Sequence, residues 1–426
     1  MNVKLLVTDL KPGMFVYELD RPWLGTPFLL QGFLIDSDDD IEQLTRCCKH
    51  VFVDPSKSVA GLFPATPGFK PDRREPVRPV ASITQQAIRA TISQGFTVEQ
   101  EDSLSSSGEE KVPVEEELAT AKKIHRETRA LVESIMNDIR NGRAPQIETV
   151  NHSVEGMVES VIRNPSALMW LTKLKSSDTY TYDHALDVSV YMIVFGRHLG
   201  YPKEQLHTLG VGGLLQDVGK IKLPKELLER KGKLTAQELE QVKSHVQHSL
   251  DILQKADSIS LDVMDIVSMH HERYDGSGYP RGFKEDEISM FGGIAAIVDC
   301  FEALTTNRPY GNALSSQEAL QLLQNWKGRL FEQNLVEQFC QCIGIYPVGT
   351  LVELNTGDVG VVIAQNRIRR LKPKVMLILG VNRQRYTTPV VLDLLHRPKA
   401  FDDVAFEIKK ALPPGAHGIS AKEFFL

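Results

Sequence analysis

Seven of the twelve histidines lie between positions 184 and 271, and several keep company with carboxylates. Asp183-His184 follows TYTY and lies on an amphipathic helix that continues through Val188 and Met192. In LLQDVGKIKLP, Asp217 and Lys220 are one helical turn apart and face the same way. His245 and His248 are expected on the helix that starts at Thr235, His270 and His271 are adjacent, and Asp299 interrupts the apolar run GGIAAIVDCFEAL. Imidazoles with carboxylates suit borderline divalent ions such as Fe, Mn, Zn or Ni, and one carboxylate can bridge two of them. Two ions about 3.5–4 Å apart lower the pKa of a bridging water and clamp both oxygens of an in-line phosphoryl displacement.

Neighbouring helical residues point about 100° apart, so an adjacent histidine pair reaches one centre most easily at a helix end. The sequence supplies that end, because Gly276, Gly278, Pro280 and Gly282 follow within HHERYDGSGYPRG. Asp299 on an apolar helix is costly unless it is paired or coordinating. Glu302, one turn later, is expected to orient the helix or a ligand through a hydrogen bond. His248, Arg273 and Lys284 are read first as packing or solvated surface, with support of a ligand or contact to phosphate as the other reading. His50, His125, His152, His198, His207, His396 and His417 have no comparable setting and are read as structural.

The elements that must position these residues follow from composition and period. Residues 1–57 read as a small β-rich module: VKLLVTDL, a Pro12-Gly13 turn, the run 14–17, FLLQGFLI and VFVD. Residues 58–113 read as a linker, with five prolines between Gly61 and Val80, the run SLSSSGEE, and at most a short helix near 82–93. Residues 114–164 read as two connecting helices. The first carries Leu118, Ala121, Ile124, Thr128, Leu131, Ile135 and Ile139 at helical spacing, a stripe that serves as core or as a signal-transmitting coiled coil. Residues 165–345 look all-helical, with capping boxes at Thr235/Glu238 and Ser315/Glu318. Residues 346–426 return toward a period of two in TLVEL, VGVVIA and KVMLIL, a short β module. The expected fold class is mainly α with small β modules at both ends.

A net charge of −6 and a pI near 6.1 argue against binding of nucleic-acid polymers, while leaving room for a small anionic ligand. No apolar run is long enough to span a membrane, and MNVKLLVTDLKPGM lacks the plan of a signal peptide. The five cysteines read as reduced thiols in a cytoplasm. Cys340 and Cys342 read as helix packing rather than as a metal site.

HHERYDGSGYP matches the signature of HD-GYP domains, with Gly278-Tyr279-Pro280 as the GYP element. TYTYDH, DVGKIKLP, KGKLT before His245 and DCFEALTTNRPY match further family motifs in the expected order, across roughly 165–340. DLKPGMFVYELDRPWLGTPF resembles the small domain that often precedes HD-GYP domains in bacterial proteins. The resemblance implies an HD-superfamily helical fold and hydrolysis of cyclic di-GMP to pGpG or GMP at a di- or trinuclear centre. Fe or Mn is favoured there, with Mg, Ni or Zn as alternatives. It maps family ligands onto His184, Asp217, His245, His270, His271 and Asp299, with Asp217 bridging. Lys220 and Arg308 would approach substrate phosphate, and Tyr279 and Pro280 would shape substrate or meet a protein partner. The implied setting is bacterial signalling in biofilm formation, motility and virulence, with cyclic di-GMP, a protein at the GYP loop and a second copy of the chain as expected partners.

One position departs from the family's defining His-Asp pair: Gln216 precedes Asp217 where the family has histidine. Ser249 likewise replaces a usual glycine. An amide oxygen is a harder, weaker donor than imidazole; it serves Mg or Mn and lowers affinity for borderline ions. The resulting expectation is a cyclic di-GMP phosphodiesterase, with reduced or metal-selective turnover. The alternative is an impaired HD-GYP module that binds cyclic di-GMP or a partner as a regulator. A third reading, another nucleotide phosphohydrolase of the HD superfamily, fits the GYP segment poorly.

Overall fold

The computed structural model describes residues 3–20, 33–35, 38–53, 110–173, 180–228, 234–306, 313–366, 371–400, 404–413 and 415–419, and positions 55, 58, 230, 232 and 369. The chain divides into two compact units, 1–107 and 108–426. Most of the 58–113 linker, including the helix expected near 82–93, lies outside the described residues, as does part of FLLQGFLI.

In the first unit β1 (Val3–Leu6), β2 (Phe15–Leu19), β3 (Phe33–Leu34) and β4 (His50–Val53) form an antiparallel sheet in the order β1-β4-β2-β3. Helix α1 (Asp38–Cys47) joins it, an element the sequence reading did not foresee. Its apolar signal is only Ile41, Leu44 and Cys48, too short a run to announce a helix. Tertiary burial of Leu44 and Cys48 among Val16, Val51 and Val53 supplies what local periodicity lacks.

The second unit opens with α2 (Val114–Arg140) after Pro113, with Glu115, Glu116 and Glu117 in its first turn and Arg140 in its last, as the helix dipole favours. The buried face runs through Ala121, Thr128, Val132, Ile135, Met136 and Ile139, rotated slightly from the expected stripe. The rotation brings Glu117 inside, where it accepts hydrogen bonds from Ser160 (2.7 Å) and Arg163 (2.7 and 2.8 Å) of α3 (Ile147–Arg163). The stripe is therefore core, packed on α3, α4 (Pro165–Leu171) and α5 (Tyr180–His198).

Helix α5 is buried at every position from 185 to 195 and forms the axis of the domain. Helix α6 (Lys203–Leu215) lies against it so closely that a Cβ on Gly213 would sit 2.7 Å from the Ser189 Cα. Beyond α6 come a 3-10 turn (Val218–Lys222), α7 (Lys225–Leu228), α8 (Ala236–Lys243), α9 (His245–Leu253) and α10 (Leu261–Met269). Helices α11 (Met290–Thr305), α12 (Ser316–Trp326) and α13 (Gln333–Ile343) complete the set. Both capping boxes form: Glu238 N donates to Thr235 Oγ1 and Glu318 N to Ser315 Oγ, with each glutamate accepting in return from the cap residue's N–H.

Strands β5 (Leu351–Leu354), β6 (Val359–Ala364), β7 (Lys374–Leu379), β8 (Arg385–Asp393) and β9 (Ile408–Leu412) make an antiparallel sheet in the order β8-β7-β6-β5-β9. Alternation is absent from β5 and β6, whose residues are all buried, because the sheet's own core covers one face and α4 lies beside β6. Cys340 is buried on α13, where burial pushes its thiol up to about 11, and the Cys342 thiol reaches the Val194 carbonyl at 3.7 Å. Both act as packing groups.

Candidate metal centre

Each chemical side chain sits where a helix starts, stops or is buried on all sides. His184 lies in the first turns of α5, Gln216 caps the C-terminus of α6, and Asp217 begins the 3-10 turn. His245 is the first residue of α9, which is separate from the Thr235-capped α8 expected to carry it, while His270 caps α10 with His271 just beyond, the helix end that the adjacent pair requires. Asp299 and Glu302 project from the buried side of α11. A Cβ on Gly219 would collide with the His245 carbonyl, so glycine lets the 3-10 turn approach α9.

Asp217 is the hub. Its Oδ2 lies 3.0 Å from His184 Nε2 and 2.6 Å from Lys220 Nζ, while its Oδ1 lies 3.2 Å from His245 Nε2 and 3.6 Å from His270 Nε2. Asp299 Oδ1 is 3.2 Å from His184 Nε2, and its Oδ2 is 3.8 Å from His271 Nδ1. Two groups of donors result, each with its ligand atoms within 4.8 Å of one another: Asp217, His245, His270 and His271, and His184, Asp217 and Asp299. The structure thus brings together all six residues mapped from the motifs.

Three imidazoles are oriented from behind. His245 Nδ1 meets the Val242 carbonyl at 2.7 Å and His270 Nδ1 the Val267 carbonyl at 2.8 Å, so each donates there and turns an Nε2 lone pair inward. Those two Nε2 atoms face each other at 3.4 Å. His184 Nδ1 meets Glu302 Oε2 at 2.5 Å, and Glu302 Oε1 accepts from the Thr306 hydroxyl. Glu302 therefore orients a histidine, as its spacing from Asp299 suggested.

Burial disfavours ionised carboxylates, yet Lys220 and the imidazoles around Asp217 hold it well below the usual carboxylate range. Asp299 is likewise held low against burial, chiefly by His184 and His271. For His184, burial is outweighed by Glu302, Asp217 and Asp299, which raise its pKa well above the ordinary value. Burial dominates at His245 and His271 and lowers the pKa of both rings, disfavouring their protonation. Two lone pairs facing across 3.4 Å, beside three buried carboxylates, make a setting that favours a cation. The donor set fits divalent metal, and each group can hold an ion.

The remaining expected residues divide. Lys220 is at the centre, its side chain 19% exposed. Tyr279 stacks on the His271 ring (centroids 4.6 Å apart, 30° between planes), and Lys243 lies 5.5 Å over its face. Pro280 is exposed at the surface next to it. Arg308 and the end of DCFEALTTNRPY lie outside the described residues. His248 belongs to neither donor group and meets Ser244 Oγ at 3.3 Å. Arg273 donates to the Glu272 carbonyl and covers the Phe331 ring, a structural post.

Two contributions escaped the sequence reading, that of Glu272 and that of Ser249, which it had named only as a departure from the family pattern. Glu272 is buried and accepts from the N–H groups of Arg281 (2.7 Å) and Phe283 (3.1 Å), folding the GYP segment back so that Tyr279 N reaches the His271 carbonyl. Its position directly after the histidine pair was the available signal. Ser249 Oγ accepts from Gly219 N at 2.8 Å and donates to the Gln216 carbonyl at 2.9 Å, so the two departures from the family pattern touch. No spacing rule connects residues 33 positions apart.

Residues 165–335 match the family described as HD domain, and residues 2–150 match a domain of unknown function (DUF3391). The chain is 33% identical over 413 residues to a cyclic di-GMP phosphodiesterase of Pseudomonas aeruginosa, covering 96% of this chain and 93% of that relative. It is 41% identical over 126 residues to a cyclic di-GMP phosphodiesterase of Thermotoga maritima, covering 29% of this chain and 34% of the relative. It is 34% identical over 155 residues to 3'3'-cGAMP-specific phosphodiesterase 2 of Vibrio cholerae, covering 36% of this chain and 30% of the relative. With its GYP element folded against a buried His/Asp cluster, the chain belongs to the HD-GYP family of HD-domain proteins.

Proposed function

We propose that this protein is a metal-dependent phosphodiesterase that hydrolyses cyclic di-GMP, to pGpG or through pGpG to GMP. The observation that carries the reading is Asp217, which turns one carboxylate oxygen toward each of two donor groups. His184, Asp217 and Asp299 would hold one ion, and Asp217, His245, His270 and His271 the other, with iron or manganese suiting the mixed donors. Bound there, such ions supply Lewis-acid polarisation of a phosphodiester and a water acidic enough to ionise near neutral pH.

The protein's own part is positioning. Glu302, Val242 and Val267 fix the ring orientations of His184, His245 and His270. Lys220 brings a cation beside Asp217 Oδ2, where it can meet a phosphoryl oxygen as negative charge develops. Tyr279, stacked on His271 with the Lys243 ammonium over its ring, places an aromatic ring and a cation at the edge of the centre, where they can shape the substrate site. The similarity over nearly the whole chain to a relative named for cyclic di-GMP supports that substrate, and the relatives named for 3'3'-cGAMP make that dinucleotide the control.

The test is turnover of both dinucleotides by protein purified without oxygen and loaded with Mn2+ or Fe2+. Cyclic di-GMP should be cleaved in preference, and Asp217→Ala should abolish cleavage. Tight binding of cyclic di-GMP with no turnover under either metal would overturn the enzyme reading in favour of a regulatory module.

A further inference from the structure

Gln216 is 1% exposed and held at both ends of its peptide unit. Its N–H donates to the Gly212 carbonyl at 2.8 Å, and its carbonyl accepts from Ser249 Oγ at 2.9 Å. The side chain reaches Asp299, with Nε2 3.1 Å from Oδ1, while Oε1 has no hydrogen-bond partner among the described residues. A buried amide oxygen without a partner is uncommon in a folded protein. Gln216 is thus held to Asp299 through its amide nitrogen and keeps its oxygen for a further partner.

The neighbouring donors give that oxygen meaning. His184 Nε2 lies 3.0 Å from Asp217 Oδ2 and 3.2 Å from Asp299 Oδ1, the same Asp299 oxygen that Gln216 Nε2 approaches at 3.1 Å, so the amide stands beside this donor group. Donor chemistry divides the two groups: one nitrogen with three oxygens once Gln216 is included, against three nitrogens with one oxygen.

We propose that Gln216 is a metal ligand through its amide oxygen and that the centre is built for two unlike ions. A hard ion such as Mn2+ would occupy the His184–Gln216–Asp217–Asp299 group. A borderline ion such as Fe2+ occupies the Asp217–His245–His270–His271 group. The assignment rests on the metal-centre reading above and adds to it a division of labour that histidine at position 216 would erase.

The test reads metal content, not turnover. Full-length protein is stripped with chelator, then reconstituted without oxygen with one equivalent of Fe2+ and an excess of Mn2+, and analysed by elemental analysis and by Mn2+ paramagnetic resonance. About one iron and one manganese per chain are expected, following donor hardness. Gln216→Leu should keep the iron and weaken Mn2+ binding by at least about tenfold, since even outer partners of a metal site are worth about 10–100-fold. The retained iron reports that the variant is folded. Should Gln216→Leu not fold, Gln216→Glu, which keeps an oxygen donor, should hold Mn2+ at least as tightly, while Gln216→His should admit iron to both groups. Unchanged Mn2+ binding in Gln216→Leu, or the same Mn:Fe ratio in Gln216→Glu and Gln216→His, overturns the proposal and leaves the phosphodiesterase reading standing. Failure of the parent protein to hold any ion overturns both.

Discussion

Arg129 Nε donates to Asp183 Oδ1 over 2.7 Å, tying helix α2 to the residue just before His184. The pair is only partly solvent-exposed, 32% for the arginine side chain and 10% for the aspartate. Its worth lies between that of a surface ion pair and a buried one, about 1–2 kcal/mol. Arg129→Leu should lower stability by that amount in denaturant titration and reduce turnover several-fold, because the first turn of α5 carries His184. A double-mutant cycle with Asp183→Asn should recover most of the loss as coupling; additive effects would mean the contact does not carry it.

Glu302 orients His184 through its charge as well as its shape, so the amide keeps only half of the interaction. Glu302→Gln should weaken metal binding at the His184 group by about 10–100-fold, the usual effect of losing a carboxylate behind a ligating imidazole. The His245–His270 group, oriented by backbone carbonyls, should be unaffected. Calorimetric metal titration resolves the two, and equal losses at both would contradict the assignment.

Lys220 has a separate signature. Its ammonium lies 2.6 Å from Asp217 Oδ2, where it repels any cation the carboxylate attracts. Lys220→Met should leave metal content unchanged or higher, yet lower kcat by about 10²–10³, the cost of removing one preorganised donor to developing charge. A parallel fall in metal content and rate would instead make Lys220 a structural support of the centre.

His125, on α2, faces the Asp183–Arg129 pair from a half-buried position, although its spacing gave no reason to single it out. Burial, reinforced by Arg129 and opposed by Asp183, pushes its pKa down from 6.5 to about 4. Between those values the unfolded chain binds a proton that the folded chain does not, so stability falls as pH drops through this window. The loss is at most about 3 kcal/mol, less what partial exposure screens, and it is not felt above the window. Urea titrations at neutral pH and near the lower limit should show His125→Leu losing less stability than the parent. An identical difference in both proteins would refute this role.

Sequence alone determined what depends on neighbours along the chain. Both capping boxes need only a serine or threonine and a glutamate three residues later. The His270-His271 pair at a helix end followed from the glycines behind it, and a carboxylate on the apolar helix α11 announced a partner without naming it. Tertiary structure decided everything that spans a large separation. It split the two oxygens of Asp217 between His184 and His245 and set Glu302 behind a histidine 118 positions away. It turned α2 so that Glu117 faced inward, and it joined Gln216 to Asp299 and Ser249. Helix α1 escaped notice for the same reason, since its stability comes from Leu44 entering a core built by distant strands. Periodicity and caps report the local free energy of a segment, whereas a binding site is the meeting of side chains whose positions are set by the packing of whole helices.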